Sequence, residues 1–147
     1  MTYAVQQDLV DRFGQTEIAQ LTDRVNGTTI DAAVLGKALA DADDLINSHL
    51  ATRYVLPLAS VPKVIVRAAS DIARYYLYED SVTEQVRARY EETVKYLKAV
   101  ADGSVTLGLD AASAVPAGAG GPSHDAGDRV FSQGRPSKKT EGTLDDY

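Results

Sequence analysis

The stretch "VPKVIVRAASDIARYYLY", Val61–Tyr78, decides the fold. Proline suits the first turn of a helix, where its missing N–H would have no partner and its φ is already helical, and Pro62 stands at that position. Val64, Ile65, Ala68, Ala69, Ile72, Tyr75 and Tyr76 then recur at three- and four-residue spacing. That period places them on one broad apolar face of a helix over Val61–Tyr78. Lys63, Arg67, Asp71 and Arg74 share the opposite, polar stripe. A helix with so broad an apolar face must bury it against other helices, so the stretch predicts a bundle.

The flanking sequence supplies those partners. Upstream, Pro57 forces Leu56 out of helical conformation, so "RYVLPLASVP" reads as a break. Before it, Ile30–Thr52 reads as a long helix with Val34, Ala38, Ala42, Leu45, Ile46, His49 and Leu50 on one face. Thr28 and Asp31 resemble a capping box at its start, and Asn26–Gly27 a turn. Downstream, Ser81 and Glu84 form a second such box. Val82, Val86, Tyr90, Val94, Leu97 and Ala101 make a clean stripe over Val82–Ala101, closed by Asp102–Gly103. Near the N-terminus, Thr2 caps a first helix carrying Val5, Leu9, Val10 and Phe13, Gly14 ends it, and a short turn of helix holds Ile18 and Leu21. Ser104–Leu109 alternates in part and reads as an edge strand or an extended arm. The expected fold class is all-α: a compact helical bundle over residues 1–109.

From Asp110 the composition changes. The last 38 of the 147 residues hold six Gly and three Pro. Such a segment cannot bury enough apolar surface to offset its ordering entropy, and it is expected to order only on assembly. Fully extended it would reach ~120 Å. From Gly118 on, its larger apolar residues are Val130 and Phe131, then Leu144 and Tyr147.

Composition narrows the function classes. There is no Cys, which removes disulfides, thiolate metal sites and a Cys nucleophile. No apolar run reaches membrane length, and Met1–Gln20 shows no signal peptide, so a cytosolic origin is expected. The net charge of −6 is shared by both regions, with no basic block for gripping phosphates. "TDRVNGTTID" hints at a calcium loop, but with Gly27 as the loop glycine the ligand positions fall on Thr22 and Arg24, and the acidic ligands are missing. Asp41–Asp44 carries three carboxylates without a His, Lys or further acid to complete a site. A solvated or subunit-facing acidic surface is the expectation there. His49, alone on an apolar edge, reads as a packing or hydrogen-bonding residue. Tyr75, Tyr76 and Tyr78 read as core or interface residues ahead of a base-stacking platform. "GAGG" has no strand before it or helix after it. No catalytic set and no cofactor motif emerges, so an enzyme is not expected.

Five separate stretches together resemble one family: "TYAVQQDLVDRFG", "IAQLTDR", "ALADADDLINSHLATRYVLPL", "DIARYYLY" and "RYEETVKYLKAVADGSVTLGL". They are similar to the small helical protein of Mu-like phages and prophages, and the likeness runs in order over residues 2–109. The tail is similar in kind, with Arg129, Val130 and Phe131 matching an Arg-Val-Phe element. The turn near Asp23 departs from the family, since Val25 interrupts it. The resemblance implies a head–tail connector of the virion neck, a ring of twelve adaptors beneath the portal, with a stopper or tail-completion protein on the other side and DNA passing through without specific binding. It implies assembly in the host cytoplasm. Arg129, Val130, Phe131, Leu144 and Tyr147 are the expected partner-binding residues. Asp41 and Asp44 of one subunit, with Lys63, Arg67, Asp71 and Arg74 of its neighbour, are the expected subunit-interface residues. Two other readings stay open: a cytosolic regulatory or scaffolding protein acting as monomer or dimer, and a nucleic-acid-processing accessory protein.

Overall fold

A computed structural model describes residues 1–78 and 81–109. They form five helices in chain order: α1 Gln6–Phe13, α2 Gln15–Thr22, α3 Ala32–Leu50, α4 Lys63–Leu77 and α5 Glu84–Asp102. The tail from Asp110, with Arg129, Val130, Phe131, Leu144 and Tyr147, lies outside the described residues.

Helix α4 is central. It packs on both α3 and α5 and also meets α1. Its buried side chains include Ile65, Ala68, Ala69, Ile72, Ala73 and Leu77. The alanines let neighbouring helices come close, while Ile65 and Ile72 fill the gaps between ridges. Ser70 is also buried, and its hydroxyl donates to the Val66 carbonyl at 2.8 Å, so it carries no unmet polar group into the core. Two residues of the expected face are displaced. Val64 is 37% exposed, and on α3 Val34 is 41% exposed while Leu35 and Leu39 are buried. The buried face of α3 keeps the expected Ala38, Ala42, Ile46 and Leu50 and extends sideways to Leu35, Leu39 and Asp43 in place of Val34.

The helix starts differ from the capping boxes expected. Asp31 itself caps α3, with Oδ1 accepting from the amides of Ala33 at 2.8 Å and Val34 at 3.2 Å. Thr83, not Ser81, caps α5, accepting from Val86 N–H at 3.4 Å. At α1 the first residue outside the helix is Val5, whose N–H donates to Asp8 at 2.8 Å, and Thr2 lies outside the helix altogether. Each true cap satisfies amide donors that the first turn leaves free. Gly14 joins α1 to α2 at φ 88°, a left-handed value that favours glycine.

Two polar ties fix the segments between helices. Thr22 Oγ1 donates to Ile18 O at 2.8 Å and accepts from Asp31 N–H at 3.1 Å, linking the end of α2 to the start of α3. After α5, Gly103 turns the chain at φ 83°. Ser104–Leu109 then runs as an irregular arm that bends at Ser104–Val105 and turns again at Gly108, φ 67°, with no ladder among the described residues. Val105 N–H donates to Ala99 O at 3.1 Å, and Leu107 N–H donates to the buried Tyr54 hydroxyl at 3.0 Å. Tyr54→Phe leaves that N–H without its acceptor beside the largely buried Leu107 side chain. A loss of about 1–3 kcal/mol in urea unfolding is expected, with faster amide exchange at Leu107.

Candidate functional site

The polar stripe of α4 is not uniformly solvated. Lys63 and Arg67 are exposed. Asp71 is only 5% exposed, and Arg67 Nε lies 3.7 Å from its Oδ2. Arg74 turns back onto α1 and α2. Its guanidinium meets Glu17 Oε1 through Nε at 2.7 Å and Nη2 at 2.6 Å, and it covers the Phe13 ring at 4.4 Å from the centroid. Tyr78 adds its hydroxyl to the same Glu17 oxygen at 3.3 Å. Of the four residues expected to face a neighbour, Asp71 and Arg74 are therefore engaged inside the protomer, and Lys63 and Arg67 stay on its surface. For Arg74 this follows from a contact with a residue 57 positions away, which helical spacing cannot register.

The acidic run of α3 divides in the same way. Asp41 and Asp44 are exposed, but Asp43 is buried and accepts the Tyr3 N–H at 3.0 Å. Tyr3 also donates its hydroxyl to Asn47 Oδ1 at 2.5 Å, so the N-terminal segment is laced along α3. Asp41 lines a mixed polar and apolar recess of about 300 Å³ with Lys37, Val34, Tyr76 and Leu77. His49 is half-buried, and its Nδ1 lies 2.9 Å from the Leu45 carbonyl, which can only accept; the ring is therefore protonated at Nδ1 and tied to its own helix. Asp23 accepts from the amides of Val25 at 3.1 Å and Asn26 at 3.0 Å, which hold its carboxyl below the usual range. The carboxylate closes a turn. Among the described residues no group of three or more His, Asp or Glu is placed to hold a metal ion.

The tyrosines stack on one another. Tyr75 lies face to face with Tyr90 of α5 at 4.0 Å and 11° between planes, and Tyr76 meets the same ring obliquely at 6.1 Å. Burial, then the neighbouring Tyr90, pushes the Tyr76 hydroxyl up to about 12. One face of Tyr75 is thus occupied by protein.

Beside this stack, α4 and α5 enclose a cleft of about 150 Å³. Val64, Ala68 and Tyr96 give it apolar walls, and its charged lining is balanced, Arg67 and Arg89 against Asp71 and Glu92. Burial raises the Asp71 carboxyl above its ordinary value, against the opposing pull of Arg67, Arg89, Arg12 and Arg74. A raised folded value means that the folded chain holds a proton that the unfolded chain releases. Stability from this group is then present at low pH and is lost as pH rises through the folded value. Asp71→Asn is expected to raise the denaturation midpoint at pH 7, because it removes a buried charge whose ion pair with the exposed Arg67 is long, at 3.7 Å. That gain should vanish below about pH 4, where both forms are neutral.

The sequence matches a family described as Bacteriophage Mu, Gp36 over residues 3–125. The chain belongs to that family. It is 39% identical over 107 residues to the Mu-like prophage FluMu protein gp36 of Haemophilus influenzae, covering 73% of this chain and 76% of the relative. It is also 39% identical over 115 residues to Gene product J of Escherichia phage Mu, covering 78% and 82%. This Gp36-family chain is therefore a Mu-like phage protein. Among its described residues no helix is long and apolar enough to cross a membrane. Two of the stretches that carry the resemblance, "ALADADDLINSHLATRYVLPL" and "RYEETVKYLKAVADGSVTLGL", meet in the fold through Tyr54 and Leu107.

Proposed function

We propose that this Gp36-family protein is a structural component of the virion, a head–tail adaptor that forms a ring of twelve beneath the portal. It acts by binding, without catalysis. One side of the ring meets the portal and the other a stopper or tail-completion protein. The acidic balance lets DNA pass through without adhering. The tail, residues 110–147, tethers each subunit to a neighbouring adaptor or to the portal through Val130–Phe131, Leu144 and Tyr147. The neck of the particle is its final location, and the host cytoplasm the place of assembly.

The observation that carries this reading is the anchored arm. Leu107 is held to Tyr54, so the tail leaves the bundle from a fixed point, as a tether requires. Membership in a Mu phage family supports the setting.

Negative-stain imaging of the purified protein, alone and mixed with its portal, tests the proposal. Rings are expected in one or both samples. Monomers or dimers in both would favour the regulatory or scaffolding reading, and salt-sensitive DNA binding the nucleic-acid reading. In infected cells, a chain truncated after Asp110 should leave DNA-filled heads without tails. Normal tailing would remove the tether from the proposal.

A further inference from the structure

The turn between α2 and α3 carries "DRVNGTT", Asp23–Thr29. Its ends are fastened. Arg24 Nη2 donates to the Leu77 carbonyl at 3.4 Å, Ile30 packs against the core, and the Asp31 amide is held by Thr22. Between them the tip stands in water, with Val25 90% exposed and Asn26 exposed beside it. Gly27 follows at φ 63°, and a Cβ there would press on Gln20 Cγ at 3.4 Å, so the turn favours glycine at this position. The same glycine leaves its backbone nitrogen unshielded next to the Asn26 side-chain amide. Asn47, the chain's other asparagine, lies inside α3 and accepts the Tyr3 hydroxyl.

We propose that Asn26 is a site of spontaneous deamidation, and that Asp23 holds the reaction in check. The Gly27 nitrogen loses its proton to solvent hydroxide, and its electron pair attacks Asn26 Cγ. The N–Cγ bond forms, the Cγ–Nδ2 bond breaks, and Nδ2 leaves as ammonia after taking a proton from water, which leaves a cyclic imide. Water then opens the imide at either carbonyl. Attack at Cγ yields an aspartate. Attack at the main-chain carbonyl yields an isoaspartate, whose backbone runs through Cβ and Cγ and is longer by one atom. Either product adds a negative charge beside Asp23. Asp23 opposes the first step. Its carboxylate accepts from the amides of Val25 at 3.1 Å and Asn26 at 3.0 Å, and those of Gly27 and Thr28 act on it as well. Engaging the Gly27 N–H keeps its proton in place, and a negative charge beside that nitrogen disfavours the anion that the attack requires. The same bonds hold the backbone of the turn and limit the rotation that brings the Gly27 nitrogen onto Cγ. Asn47 has no such route, because the nitrogen that follows it is tied into the hydrogen-bond ladder of α3.

Two tryptic peptides of the full-length chain read the two asparagines separately: Val25–Lys37 contains only Asn26, and Ala38–Arg53 only Asn47. Protein aged at mildly alkaline pH is digested, deamidation in each peptide is followed by mass spectrometry, and isoaspartate is separated from aspartate by chromatography. Conversion at Asn26 should be at least tenfold faster than at Asn47, with isoaspartate the larger product. Asp23→Ala should speed conversion at Asn26 at least fivefold and leave Asn47 unchanged, which separates loss of the guard from a general loosening of the fold. Asp23→Asn, which keeps an acceptor oxygen and lacks the charge, should fall between the two. Should Asp23→Ala speed both positions alike, Asp23→Asn decides by the same comparison. Equal rates at Asn26 and Asn47 in the native chain, or no acceleration at Asn26 when Asp23 is replaced, would overturn the inference.

Discussion

Ile72→Ala is expected to destabilise the bundle by about 2–5 kcal/mol, the range for deleting a buried aliphatic side chain and leaving part of the cavity unfilled. Ile72 is fully buried on α4, the helix on which α3 and α5 both pack. Collapse around the vacancy is limited because its α4 neighbours Ala68, Ala69 and Ala73 are too short to refill it. The loss is a large share of the roughly 5–15 kcal/mol that a domain of this size commands. Val64→Ala, 37% exposed on the same helix, should cost much less, about 0.5 kcal/mol. Equal shifts in a guanidinium titration would mean that α4 presents a different face to the core.

The second large effect is expected at Arg74. Arg74→Ala removes two hydrogen-bonded contacts to Glu17 and the cover over Phe13, and so releases α1 and α2 together from α4. A loss of about 2–3 kcal/mol is expected, somewhat below the cost of breaking a fully buried pair, because Glu17 keeps partial access to water. Hydrogen exchange should show the loss unevenly. Amides of Gln6–Thr22 should lose protection well before those of α3–α5. A double-mutant cycle with Glu17→Gln should return a coupling that accounts for most of the effect. Uniform loss of protection along the chain would show that α1 and α2 unfold only with the whole.

The three long helices were legible because their apolar spacing is long and regular. Ile65, Ala68, Ala69 and Ile72, and Val86 and Leu97, are buried as their period requires. What escaped was phase and partnership. Val34 and Leu35 are both apolar neighbours at the start of α3, and only packing decides that Leu35 turns inward. Asp43 reads like Asp41 and Asp44 until the Tyr3 amide is placed against it from 40 residues away. Arg74 looks like one member of a surface stripe until Glu17 and Phe13 are brought beneath it. The helix starts slipped for a related reason: Thr28, Asp31, Ser81 and Thr83 are all competent caps, and the loop geometry selects among them. The cleft between α4 and α5 has no sequence signature, since it is a gap between side chains of two helices about 25 residues apart.

The tie between Leu107 and Tyr54 also has a mechanical meaning. Any pull on the chain beyond Leu109 reaches the Leu107 backbone before it reaches Gly103 and the last turn of α5. Load is passed sideways into the segment following α3, and from there into the buried layer beneath Leu50 and Leu58. The end of α5 is thereby shielded from peeling. A protein with its arm fastened in this manner can be tugged from its C-terminal side without its last helix unwinding first.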